Sequence, residues 1–173
     1  MGAGSSLAPP VRCDSRVATS HSPSSNPSGK LDPSFGKSGT GMLVTHFPDA
    51  VKASASANSM DIDSRRRIVL GGTGGNNSVV LARYTHRGSL SRSFGTGGKV
   101  AQKLDHFGDI NGIAIDGEDR IVAVGDDTYS HSKWGLARYR SDGRLDPKFG
   151  NDGQVVTGMG RHRGITAYGV AID

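Results

Sequence analysis

The chain has 173 residues, near the usual size of one domain, so one sizeable core can be buried and two large domains are excluded. Hydrophobic residues make up 34% and glycine fills 26 positions, which suits many short strands joined by tight turns better than long amphipathic helices. The 21 basic and 16 acidic side chains give a formal charge of +5, enough to favour anionic surfaces without specifying one.

Residues 1–28 are rich in Ser, Pro, Ala and Gly and lack periodic apolar positions, so they read as a disordered leader. They contain no apolar secretory core, and no window of the chain reaches the length a membrane-spanning helix needs. Met1, Gly2 and Ser6 match the permissive N-myristoylation pattern. Cys13 stands alone, which leaves neither a disulfide framework nor a Cys-based metal site to draw.

From Gly29 the chain repeats itself. GKLDPSFGKSG from Gly29 to Gly39, GSLSRSFGTGG from Gly88 to Gly98 and GRLDPKFGNDG from Gly143 to Gly153 align, with Phe35, Phe94 and Phe149 spaced by 59 and 55 residues. VVLARYTHRG from Val79 answers WGLARYRSDG from Trp134, and SMDIDSRRRIVLGG from Ser59 answers GIAIDGEDRIVAVG from Gly112. YGVAID from Tyr168 opens a further copy, which makes Asp63, Asp116 and Asp173 equivalent. Repeat boundaries near 29, 88 and 143 give about two and a half copies over 29–173.

Four runs bounded by turn residues mark the second copy: Lys99 to Leu104, Gly112 to Asp116, Arg120 to Gly125 and Trp134 to Arg140. Together they predict one four-stranded meander per copy. Asp116-Gly117 between the second and third runs predicts a hairpin, where a tight turn needs residues tolerant of positive φ. Ile121 to Val124 is apolar on both faces, as is Ile68 to Leu70, so this strand should be sandwiched between neighbouring sheets. In LARY the faces are mixed, which predicts an outer strand and burial falling from the third run to the fourth.

The pattern G-x-L-D-x-x-F-G-x-x-G, followed by a variable strand, an A-I-D hairpin, I-V-x-x-G and L-A-R-Y, resembles the bacterial delta-60 repeat. It covers residues 29–173, with Ser91 standing where the pattern has Asp and Ser64 to Arg67 replacing an acidic-glycine turn. The resemblance implies a β-propeller-like fold, an extracellular or cell-surface setting in large bacterial chains, and no shared catalytic chemistry. With the strand reading, it predicts an all-β, partial β-propeller-like stack of four-stranded antiparallel repeats.

Several groups invite a chemical reading, and each has a plainer one. Gly36-Lys37-Ser38 looks like the tail of a phosphate-binding loop, but Leu31 stands where the earlier glycine belongs, and the other copies read Gly95-Thr96-Gly97 and Gly150-Asn151-Asp152. Gly71 to Gly75 follows a strand and leads to another, which predicts an interstrand loop rather than a phosphate site. His46-Phe47 and His106-Phe107 sit at nearly matching offsets and read as a surface histidine beside a packing phenylalanine, with Arg161-His162 at that place in the third copy. Asp105, Asp109 and Asn111 supply oxygens without the spacing of a calcium hand. Asp32 and Asp146 precede proline and read as turn formers. Arg65 to Arg67 and Arg161 to Arg163 lack the interleaved aromatics of a nucleic-acid surface, so they read as solvated basic turns.

No catalytic, cofactor or metal residue is therefore assigned. The expectation is a non-enzymatic repeat module presenting loops to a protein or glycan. The alternative is part of a hydrolase or lyase gathering Asp105, Asp109 and His106 from loops. An open stack of this length should belong to a longer protein or self-associate, with Ile165, Val170 and Ile172 near the sticky boundary.

Overall fold

The computed structural model describes residues 16–19, 29–47, 55–75, 77–104, 107–126, 133–158, 160 and 165–173. All of its regular structure is strand: β1 (Arg16–Thr19), β2 (Leu43–His46), β3 (Ala55–Ile62), β4 (Ile68–Gly74), β5 (Ser78–Tyr84), β6 (Lys99–Gln102), β7 (Gly112–Ile115), β8 (Ile121–Asp126), β9 (Lys133–Tyr139) and β10 (Gln154–Gly158). Two four-stranded antiparallel meanders, β3-β4-β5-β6 and β7-β8-β9-β10, form successive blades, and β1 pairs with β2 in a separate ribbon. The fold is all-β and propeller-like, as the repeats predict.

The blades run one strand out of phase with the sequence copies. Lys99–Gln102, expected to open the second meander, instead closes the first, pairing Leu81 with Val100 and Ala82 with Lys99. The G-x-L-x-x-x-F-G motif causes this offset. It folds back on the LARY strand through the Ser91 N–H to the Arg83 carbonyl (2.8 Å) and the Arg83 N–H to the Gly98 carbonyl (3.0 Å). Arg138, Asp146 and Gly153 repeat the clasp at 2.8 and 2.9 Å. The chain leaving the motif therefore lies beside the strand that preceded it.

The offset corrects the expected burial. β5 is buried along its whole length and is an inner strand, because β6 covers its edge and packed segments cover both its faces. Val79 and Leu81 point toward the second blade, joining Val69, Phe94, Phe107, Ile110, Ile113, Ile121 and Ala123, while Val80, Ala82 and Tyr84 point toward Phe35 and Phe47. In β9 the mixed faces and the fall in burial from β8 hold, but β9 too is an inner strand, paired with β8 and β10, while β8 and β4 are sandwiched on both faces as predicted.

The β3-β4 and β7-β8 hairpins are each built by an aspartate. Asp116 Oδ1 accepts the Glu118 and Arg120 N–H groups at 2.9 Å, and its Oδ2 accepts Arg120 Nε at 2.6 Å. Asp63 does the same for Arg65, Arg67 and Arg67 Nε at 3.0, 2.8 and 2.6 Å, so replacing the acidic-glycine turn by Ser64–Arg67 leaves the turn intact. The left-handed residue is Asp119 (φ 60) in one hairpin and Arg66 (φ 59) in the other, not Gly117.

Three other expectations change. Gly71 to Gly74 lie inside β4 rather than in a loop, because a Cβ at Gly71 would strike the Ile113 side chain and one at Gly72 the Ser56 backbone. The glycine matching Gly98 and Gly153 is Gly41, not Gly39: Gly41, Gly98 and Gly153 each leave no room for a Cβ beside Leu31, Leu90 and Leu145, whereas Gly39 faces open space. Within 1–28, expected as a disordered leader, Arg16–Thr19 pair with β2 as a strand. The rest of that segment, Cys13 and the Met1-Gly2 pattern included, lies outside the described residues.

The blades meet face to face along β3 and β7. Ser59 Oγ and Asp61 Oδ2 on β3 accept the Ile113 and Ile115 N–H groups at 3.0 and 2.8 Å. Residues 165–173 lie beside β7, where Gly169 and the Tyr168 carbonyl approach Gly112. That segment carries no strand and is largely exposed, Tyr168 at 78% and Ile172 at 40%.

Candidate functional site

At one end of the blades the repeat motif forms a charged and aromatic cluster. Arg138 Nε and Nη2 donate to Asp146 Oδ2 at 2.9 and 2.8 Å, and its guanidinium lies 4.7 Å from the centre of the Phe149 ring. Asp146 also turns the chain, its Oδ1 accepting the Lys148 N–H at 3.1 Å. That backbone bond, with the Arg138 side chain, holds the Asp146 carboxyl below its ordinary value despite burial. Asp32 accepts the Ser34 N–H in the same way, at 2.8 Å. Both aspartates are turn formers whose carboxylates are committed to the fold.

In the first blade Arg83 stacks on Phe94 at the same 4.7 Å, but Ser91 gives it no carboxylate. Its Nη1 donates to the Ser141 carbonyl at 2.6 Å and its Nη2 to Ser93 Oγ at 3.2 Å, while Nε is buried with no partner among the described residues. Burial, reinforced by the nearby Arg67 charge, lowers the Arg83 pKa from its ordinary value. The hairpins also join across the blades, Asp119 accepting the Ser64 N–H and hydroxyl and pairing with Arg67 at 3.4 Å. Burial raises the Asp119 carboxyl, but the Ser64 hydrogen bonds and the arginine charges outweigh it and leave the pKa lowered. Every charge here is explained by folding, with Arg65 and Arg66 left pointing outward from an exposed turn.

Among the described residues the remaining sequence candidates have structural places of their own. Phe47 and Phe107 are buried core residues over the small positions of the central strands, Phe107 packing on Gly125 and Gly135, and His46 is exposed. Ser38 is held by the Thr40 hydroxyl and the Met42 carbonyl, so the Gly36-Lys37-Ser38 segment is a turn with the lysine outside it. Asn111 donates its amide to Asp126 Oδ1 at 2.9 Å. Asp105, His106 and Arg161 to Arg163 lie outside the described residues. Among the described residues no three His, Cys, Asp or Glu side chains gather as metal ligands.

Sequence reading missed a pair of grooves on the outer rim, each between the last strand of one repeat and the G-x-L turn of the next. The first, about 540 Å³, is lined by Leu43, Val44, Thr45 and His46 against Gly88, Ser89 and Leu90, with Lys37, Arg92 and Lys99 around it. The second, about 580 Å³, is lined by Val100, Ala101 and Gln102 against Gly143, Arg144 and Leu145, with Phe47 and Lys99. Leu43 corresponds to Val100, Gly88 to Gly143 and Leu90 to Leu145, so one groove is the other moved by a repeat. Both volumes suit a ligand segment of ordinary size. Among the described residues no carboxylate lines either groove, and Lys99, its Nζ donating to the His46 carbonyl at 2.9 Å, lines both. The lining positions recur in sequence but their cations do not, so aligning the copies could not reveal the charge.

Residues 119–149 match a family model described as a beta-propeller domain of unknown function, which agrees with the blade they occupy from the β7-β8 hairpin to the repeat motif. No curated protein matches the chain at a significant level. The chain is thus an all-β, propeller-type repeat protein in fold, with a short stretch similar to a propeller domain whose own activity is undescribed.

Proposed function

We propose that this chain is a non-enzymatic, propeller-type repeat module that binds a protein or glycan along its rim, and that the ligand is an acidic, extended chain. The observation that carries the reading is the repeated groove: an apolar floor edged by Lys37, Arg92, Lys99 and Arg144, with no carboxylate among the described residues of either lining. Two equivalent grooves side by side favour a repeating ligand, since a linked second site binds at high effective concentration. A net charge of +5 adds long-range attraction in the same direction.

Titration calorimetry with a sulfated polysaccharide and with an acidic peptide, at low and at physiological salt, tests the reading. Binding that weakens with salt and falls at least about fivefold in Lys99→Glu is expected, because one charge reversal alters both grooves and screening acts on exposed cations. Salt-independent binding, or none of either probe, would remove it.

A further inference from the structure

We infer that two copies of this chain associate head to tail, the Phe149–Gly150 turn of one seating against the Gly29 turn of the next. The same junction occurs twice inside the chain. Gly36 donates its N–H to the Arg87 carbonyl at 2.9 Å, and Gly88 then packs so closely on Phe35 that a Cβ would lie 2.9 Å from the Gly36 nitrogen and 3.2 Å from the ring. One repeat later Gly95 donates to the Asp142 carbonyl at 2.8 Å, and a Cβ on Gly143 would lie 2.9 Å from the Gly95 nitrogen and 3.0 Å from the Phe94 ring.

Both halves of a third junction are present and unused. Phe149 is only partly buried where Phe35 and Phe94 are covered, and the Gly150 N–H makes no equivalent bond among the described residues. Gly29 heads the first motif as Gly88 and Gly143 head theirs and has the same left-handed backbone, φ 73 against 82 and 87. Those two are buried, whereas Gly29 is exposed with nothing near its Cβ position among the described residues. The halves lie at opposite ends of the stack, so they cannot be the same patch facing itself. The contact is heterologous and builds a ring or a filament.

Sedimentation velocity over a hundredfold concentration range, with Gly29→Asn and Tyr168→Asp, tests the junction. Asn tolerates the left-handed backbone and sits in open space in the single chain, but its Cβ would collide with the Phe149 ring and the Gly150 nitrogen once docked. Wild type and Tyr168→Asp should associate, and Gly29→Asn should stay monomeric with an unchanged circular dichroism spectrum. Amine cross-linking of mixed light and heavy chains should join Lys30 to Lys148 across isotopes. A wild-type monomer, association retained in Gly29→Asn, association lost only in Tyr168→Asp, or Lys30–Lys148 links confined to one isotope would each overturn the inference.

Discussion

The two blades carry the same arginine and the same tyrosine in different company. In the second blade Arg138 has the Asp146 carboxylate and the Phe149 ring, but the hydroxyl of Tyr139 is buried with no partner among the described residues. In the first blade Tyr84 donates its hydroxyl to Thr45 Oγ1 at 2.7 Å, while Arg83 keeps its Phe94 ring and lacks the carboxylate. Each blade thus leaves unsatisfied what the other satisfies. The pKa values follow suit: burial raises both tyrosines, but the Thr45 bond opposes the rise in Tyr84 and nothing opposes it in Tyr139. Ring and backbone clasp set the geometry of the motif, so one polar partner can be lost without losing the blade.

The largest expected contrast lies in the motif phenylalanines. Phe94→Ala removes a fully buried ring and should cost about 3–5 kcal/mol, the usual range for Phe→Ala in a core. Phe149→Ala should cost clearly less because that ring is partly exposed. Chemical denaturation of both variants checks the order, and equal losses would show that the two rings are equally covered.

Restoring the missing carboxylate comes next. Ser91→Asp places an acceptor where Asp146 stands relative to Arg138, and the charge-assisted bond should stabilise by about 1–2 kcal/mol at neutral pH. The gain must vanish in acid, since a carboxyl whose folded pKa is depressed contributes fully above its unfolded value and loses that contribution as pH falls through the folded one. An Arg83 that makes no bond to the introduced carboxylate in the crystal structure of Ser91→Asp, with no gain in denaturant midpoint, would show that the serine position is not equivalent.

The tyrosine pair should split in sign. Tyr84→Phe loses a buried hydrogen bond and leaves Thr45 without it, for a loss of about 1 kcal/mol. Tyr139→Phe removes an orphaned hydroxyl and should be neutral or stabilising by up to about 1 kcal/mol. Thermal denaturation of the two variants decides it, and a matching loss in both would reveal a partner for Tyr139.

The smallest effect is the pH dependence of the wild-type protein. Asp116, Asp119 and Asp146 are all held below their ordinary values, so each binds fewer protons when folded than when unfolded. Burial acts against this at Asp116 and Asp119, and the hydrogen bonds of the hairpins overcome it. Their stabilisation is complete above about pH 4, the unfolded carboxyl value, and fades as pH falls through the folded values. Denaturation midpoints should be flat from neutral to weakly acidic pH and drop below that. Asp116→Asn should flatten part of the drop.

The repeats made much of this legible. Phe35, Phe94 and Phe149 announced a motif whose rings stack on structural positions, Asp63 and Asp116 marked hairpins, and the apolar runs at Ile68 and Ile121 gave strands covered on both sides. The readings of Asp32 and Asp146 as turn formers agree with the backbone bonds they accept. Less could be read where a residue's role depends on a neighbour from another copy. Gly71 and Gly72 looked like loop because their tight contacts come from Ile113 and from Ser56 on an adjacent strand. The basic edges of the rim grooves stayed hidden because Lys99 and Arg144 are 45 positions apart in sequence.

What the sequence by itself determined is the unit: its period, its strands, the turns that aspartate and glycine shape, and which faces are apolar. These follow from side-chain chemistry within a few residues and from alternation along a strand. Only the tertiary structure decided the phase of the sheets and the fate of Arg83. Lys-Val-Ala-Gln at 99–102 carries no local preference for either neighbour, because ladder hydrogen bonds use the same backbone groups whichever strand supplies them. The motif's fold-back onto Arg83 and Arg138 selects the preceding strand, and that choice sets which side chains meet between the blades.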